Sequence, residues 1–201
     1  MNSSQNNIIV LLQQHQLWID TVGKQGSKLV LDEEDMRSID LKNYPLDQGY
    51  ITECMFHSMD LQGKDFHYSV LCSSKFISAN LDGANFYKSD LSYTNFSGAN
   101  MCYTKLAKAD CYEANFQEAD LSNSNLIACL FHETNLQNAN LQNSDISVAS
   151  FKNVLLNGVN MSGVRGIEEA MITSINIGTI DNPMILNNEE AKNWMKEQID
   201  K

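Results

Sequence analysis

The chain has 201 residues, 43% of them hydrophobic, and a formal net charge of −11. That length allows one domain with a sizeable core. The acidic balance argues against binding nucleic acid through its phosphates, which depends on Lys and Arg, and leaves a basic partner or an extended rod kept soluble by its charge. The longest apolar run near the start, Ile8 to Leu12, is too short for a membrane span and poor as a signal-peptide core. The expectation is a cytoplasmic protein with no membrane association. The five cysteines are odd in number and contain no CxxC pair, so they read as reduced thiols rather than a disulfide framework or a zinc site.

The first predicted element is an amphipathic helix over residues 5–22. Ile8, Leu11, Leu12, His15, Trp18, Ile19 and Val22 lie at helical spacing, and Gly23 and Gly26 follow as stop signals. His15 on this apolar face reads as a packed core histidine rather than a ligand. Residues 1–30 are assigned to an N-terminal helical cap.

From Leu31 a period of five begins. Every fifth residue from Leu31 to Met161 is apolar, 27 positions in a register that never slips. The residue two before each centre is Ser, Ala, Thr or Cys throughout the stretch from Ser69 to Ala149, and the residue one before is often Asp or Asn. Neither a helix nor a flat strand repeats at five. Units such as "ANLDG ANFYK SDLSY TNFSG ANMCY" resemble the pentapeptide repeat family, whose consensus is Ala-(Asp/Asn)-(Leu/Phe)-X-X. The resemblance implies a mainly β fold: a right-handed parallel quadrilateral β-helix over residues 31–163, four pentapeptides per coil, each centre pointing inward.

The physical logic agrees with that implication. A large residue at the small position would collide with the centre beside it. Asp or Asn suits the corner, because its short side chain reaches nearby backbone. Residue n should stack on residue n+20, and each coil depends on its neighbours for burial. Glu34, Tyr44 and Pro45 make the first coil irregular. Lys64, a misfit at a small position, is expected to sit at a bulge or to turn outward. Nothing interrupts the register, whereas the plasmid-borne quinolone-resistance branch of the family carries projecting loops.

Residues 164–201 form a C-terminal cap. "GIEEAM" reads as a short helix, "SINIGTI" as a strand, and "NNEEAKNWMKEQI" as a final helix with Asn187 as its cap and Glu190 as the capping-box partner. Its apolar face contains Ala191, Trp194, Met195 and Ile199. That face either folds onto the last coil or meets a second chain. The resemblance favours a homodimer through this end, with Trp194, Met195 and Ile199 as contacts.

No HxH, HExxH, Gly-rich phosphate loop or GxSxG is present. A rod filled by Leu and Phe has no natural pocket, so the expectation is a non-enzyme with no catalytic residue, cofactor or metal. His57 and His67 should face solvent on different walls. Most of the outward aromatics fall on two adjacent walls that also hold Glu53, and there Tyr68, Tyr87, Asp90, Tyr93, Asp110, Tyr112, Glu113 and Glu133 form a candidate protein-contact face. The leading reading is a rigid protein-interaction module whose partner the sequence does not name. The alternative, implied by the resemblance, is a DNA mimic that binds a type II topoisomerase. Residues 31–161 hold 17 acids and 8 bases, a net of −9. Duplex DNA of the same ~32 Å length carries about 19 charges, so the rod has about half that charge density.

Overall fold

The computed structural model describes residues 3–199, with Ser3 and Ser4 by backbone alone. Its repeating element is a turn. In Phe76 to Ala79 the Ala79 N–H donates to the Phe76 carbonyl at 3.0 Å, and Ser78 between them has φ 55°. A positive φ at the third residue of a hydrogen-bonded turn is the mark of type II. It recurs two residues after every centre from Leu46 to Met161. Glycine holds this place at Gly83 and Gly98, but Tyr68, Tyr93 and Val148 adopt it too, at a steric cost that stacking must offset.

The corner residue prepares that turn. Asn85, Asp90, Asn95 and Asn100 each accept, through Oδ1, the backbone N–H two residues on. The predicted Asx role is therefore met. The same residues also stitch coils together: Asn80 Nδ2 donates to Asp60 at 2.8 Å, and Asn100 Nδ2 to Asn80 at 3.1 Å. Parallel pairing at a spacing of twenty then carries the rod, through Asp60, Asn80, Asn100, Asp120, Asn140 and Asn160 on one corner.

Four walls result. Wall 1 is centred on Leu31, Ile51, Leu71, Leu91, Cys111, Phe131 and Phe151. Wall 2 begins at Met36, wall 3 at Leu41 and wall 4 at Leu46, each continuing in steps of twenty. All 27 centres are inside, none more than 3% exposed. On wall 2, Phe56, Phe76, Phe96 and Phe116 stack with successive centroids 4.6, 5.2 and 5.0 Å apart. Phe66 and Phe86 of the opposite wall meet this stack edge-on, as with Phe86 and Phe96 at 5.7 Å and 79°. Offset and T-shaped rings are the arrangements that their quadrupoles favour. The small position has a second function. Ser69, Ser89 and Thr94 donate their hydroxyls to the carbonyl 23 residues earlier, at 2.7–2.9 Å. The residue just after each centre is mostly half-buried rather than fully in water, as at Tyr87 and Tyr112.

Regular strands appear where the walls straighten: β1 (Val30–Asp32) with β2 (Tyr50–Thr52), and β3 (Leu130–His132) with β4 (Ser150–Lys152). At the N-terminal end, α1 (Ser3–Asp20) covers the first coil. It ends before the expected residue 22. Val22, not a glycine, takes the left-handed place (φ 52°), while the Gly23 N–H reaches the Trp18 carbonyl in a Schellman closure. The buried stripe is Ile8, Leu12 and His15; Leu11 and Val22 are exposed. Gly26 is the true close approach, since a Cβ there would lie 2.2 Å from the Gln14 carbonyl oxygen.

The C-terminal end begins with one extra residue. Pairing shifts from a spacing of twenty at Asp145 with Arg165 to twenty-one at Ser150 with Met171. "GIEEAM" accommodates it as a turn, with a single bond from Ala170 to Gly166, and not as the expected helix. β5 (Val154–Leu155), β7 (Ser174–Asn176) and β8 (Ile185–Asn187) form the last sheet, β8 running antiparallel, and β6 (Met171–Ile172) extends the β3–β4 sheet. Asn187 ends β8 opposite Ser174 instead of capping the helix. Asn188 (φ 48°) makes the corner into α2 (Asn188–Ile199).

His15 locks the N-terminal cap. It is fully buried, its Nδ1 accepts from the Leu29 N–H at 3.1 Å, and its Nε2 lies 2.9 Å from the Asp47 carbonyl. Those partners fix a neutral ring with the proton on Nε2. Burial lowers its pKa, against an opposing pull from Asp47. The folded pKa therefore lies below the unfolded one, and its stabilisation is present above the unfolded value of about 6.5 and lost as pH falls through the folded value. Urea unfolding is expected to show wild type losing stability relative to His15→Gln as pH drops from about 7 to about 5; a constant difference would refute the lock. Phe96→Asp places a carboxylate inside the Phe stack. It is expected to cost more than ~4 kcal/mol and lower the calorimetric unfolding temperature by more than ~10 °C.

Candidate functional site

The face expected from sequence separates into two clusters. On wall 1, Tyr93 and Tyr112 meet edge-on at 5.5 Å and 86°. The neighbouring Glu113 carboxylate, with some help from burial and the charge of Glu133, pushes the Tyr112 pKa up to about 12. Asp90 and Asp110 share this wall, but each spends one oxygen on the turn, accepting from the Ser92 and Tyr112 amides. On wall 4, Tyr68 and Tyr87 meet at 5.8 Å and 89°. Their companion is a base. Lys88 Nζ lies 5.1 Å and 5.4 Å from the two ring centroids and donates to the Tyr68 hydroxyl at 3.1 Å.

That second pair lines a shallow groove of about 510 Å³ together with Asp65, His67, Lys105 and Ala107. Sequence reasoning missed Lys88, Lys105 and Lys108 as a group. The signal was available: they are the only bases between Lys75 and Lys152, and all three fall on wall 4. It also passed over Tyr103, 62% exposed and alone on wall 3. His57 and His67 do lie on different walls, and His67 Nδ1 sits 2.9 Å from Asp65.

Lys64 corrects the expected bulge or outward turn. Its side chain runs along the rod, and its ammonium is held by the carbonyls of Leu41 and Tyr44. Leu41 lies 23 residues earlier, so the ammonium takes the acceptor that a serine hydroxyl takes elsewhere. By register, the Tyr44 carbonyl would meet the Asp65 N–H. Among the described residues, Asp40 does not pair with Asp60, nor Pro45 with Asp65. The two coils splay there around a cleft of about 670 Å³. Tyr44 packs against the core at its edge.

The C-terminal helix folds back on its own chain. Met195 and Ala191 are fully buried, and the Gly163 N–H donates to the Ile199 carbonyl at 3.0 Å. Glu168 ties the helix down through Lys196 at 2.7 Å. Met195 is thus unavailable to a second chain. Trp194 and Ile199 are partly buried against the same core. All five cysteines are free; Cys111 and Cys129 are buried with sulfurs 3.4 Å apart. Burial drives the Cys111 thiol well up, which keeps it protonated. Among the described residues, no three His, Cys, Asp or Glu side chains gather as a metal site, and no helix is long and apolar enough to cross a membrane.

A four-walled coil of five-residue units, closed by its own caps, defines a repeat solenoid. The family model described as pentapeptide repeats matches in eight copies over residues 52–86, 65–101, 94–132, 109–147 and 134–165. The chain belongs to the pentapeptide repeat family. Among solved structures it is similar to the pentapeptide repeat protein Rfr23 from the cyanobacterium Cyanothece 51142, at 19% identity over 72% of this chain and 84% of that one, TM-score 0.41. It is also similar to HetL, involved in heterocyst differentiation regulation in Nostoc sp. strain PCC 7120, at 18% identity over 81% and 95%, TM-score 0.28. The plasmid-mediated fluoroquinolone resistance protein QnrB1 aligns at 16% identity over 69% and 91%, TM-score 0.28. No curated protein matches the sequence.

Replacing Lys64 tests the splayed seam. Burial lowers its pKa, partly countered by Asp40, so the unfolded chain binds the proton more tightly. Stability must then rise with pH through the lysine range. Relative to Lys64→Ser, wild type is expected to gain stability from pH ~8 to ~11; a flat difference would show the ammonium to be fully solvated.

Proposed function

We propose that the protein is a non-catalytic interaction rod whose working surface lies on walls 1 and 4. The observation that carries this reading is the stacking of like charges there. Asp90 pairs directly with Asp110, and Glu113 lies one coil below Glu133, around the paired rings of Tyr93 and Tyr112. Like charges opposite one another on neighbouring strands destabilise a sheet. Wall 3 avoids this by spacing Asp60 and Asp120 with Asn80 and Asn100. A cost accepted on one wall and avoided on another fits selection for binding. Edge-to-face tyrosine pairs, one ring exposed and one half-buried, supply rigid contact area at low entropy cost.

Affinity capture from the native host tests the face. Tyr93→Ala with Tyr112→Ala is expected to lose bound proteins that wild type retains, while Gln117→Ser with Gln137→Ser on wall 2 keeps them. Equal recovery by both variants would discard the surface.

The second reading is a DNA mimic acting on a type II topoisomerase, favoured by the carboxylates of wall 1. Its charge density is about half that of duplex DNA, and the lysines of wall 4 break the acidic surface. Gyrase supercoiling is expected to proceed unchanged at micromolar protein. Inhibition would promote the mimic over the general rod.

A further inference from the structure

On a rod of net charge −11, wall 4 carries a basic stripe. Lys88 and Lys108 occupy the same turn position one coil apart, both with positive φ (56° and 62°). Two ammonium groups on adjacent coils repel, as the stacked acids of wall 1 do. Lys105 carries a second cost. Its column reads Asp65, Asn85, Lys105, Asn125 and Asp145. Each of the other four accepts the N–H two residues on through Oδ1. Lysine has no acceptor and cannot make that bond.

These departures gather on wall 4: Lys105 lines the groove with His67 and Asp65, Lys88 lies over the two tyrosine rings that also line it, and Lys108 stands one coil from Lys88. The groove is open where the small Ala107 follows Tyr87 in its column. Tyr68, 49% exposed, and half-buried Tyr87 flank it.

We propose that wall 4 is a docking surface for a short, acidic, extended segment of a partner protein. This deepens the interaction-rod reading and rests on it. Charge complementarity sets the sign of the ligand, with carboxylates meeting Lys88, Lys105 and Lys108. The bracket of Asp65 and Asp145 sets its length. Those carboxylates lie two coils to either side of Lys105, so the interval between them is about 19 Å at strand spacing, with the lysines on the two coils near its middle. That accommodates about six extended residues at ~3.3 Å each. A long polyanion such as nucleic acid would overrun the stripe and meet acid at both ends. The aromatic pair gives the peptide backbone and any apolar side chain a rigid flank, and Lys88 is already braced over both rings.

The probe is a fluorescein-labelled hexaglutamate peptide, followed by fluorescence anisotropy at low salt. A hexalysine peptide and an oligothymidylate of equal charge serve as comparisons. Binding of hexaglutamate is expected to weaken as salt rises, and to fall at least ~10-fold in the variant Lys88→Ser, Lys105→Asn, Lys108→Ser. Asn restores the corner residue of the neighbouring coils and Ser occupies the same turn position at Ser58 and Ser78, so the variant keeps the rod. Ala107 methyl resonances are expected to shift on titration. Glu113→Gln with Glu133→Gln on wall 1 should bind at least as well as wild type. Hexaglutamate binding that survives the triple variant, or is absent in wild type, overturns the proposal. Tighter binding of oligothymidylate overturns it in favour of nucleic acid. Because the peptide reads wall 4 alone, its failure leaves the capture result on wall 1 standing, and the two readings fall separately.

Discussion

Every residue of the rod shares its surroundings with the residue twenty places away. That constraint governs the interior, the turns and the skin alike. Inside, it stacks Phe on Phe along wall 2. At the corners, it lets one amide serve two ends, with Asn80 accepting from the Asp82 N–H of its own turn while donating to Asp60 of the coil below. On the surface it removes the freedom to place a charge without placing it against the next one. A solenoid of this kind is stabilised by neighbour terms rather than by any single coil.

The same rule explains where the structure departs from regularity. The first seam opens where Tyr44 fills a small position and Asp40 would pair with Asp60. Lys64 closes the gap with its ammonium, replacing a strand-to-strand bond by one from side chain to carbonyl. At the far end a single additional residue breaks the spacing of twenty. Gly166 occupies the place where another wall 4 centre would stand, because a Cβ there would come within 2.4 Å of the Ser147 nitrogen. Antiparallel β8 and α2 then cover what would otherwise be an open edge.

The inward residues were legible from sequence because one period specifies them all, and Leu81 and Met101 sit where counting by fives puts them. Asx corners were legible for the same reason. Lys64 was not, because residue type alone does not say that a long side chain can run along the axis to a carbonyl 23 positions back. Val22 in a left-handed cap defeated the ordinary preference for glycine. The tyrosines lie on adjacent walls, as counting by fives places them, in two separate clusters. The split into an acidic and a basic cluster is not legible along the chain, because Lys88 and Lys108 become neighbours only when the chain is wound.

Winding therefore gives this acidic protein an electrical asymmetry across its width. Carboxylates gather on one side of a corner and ammonium groups on the next, with the rigid interior preventing either from drifting. A field of that form acts beyond contact distance and exerts torque on a charged visitor as well as attraction. It would orient any charged molecule about the long axis as it approaches, over distances up to about a Debye length.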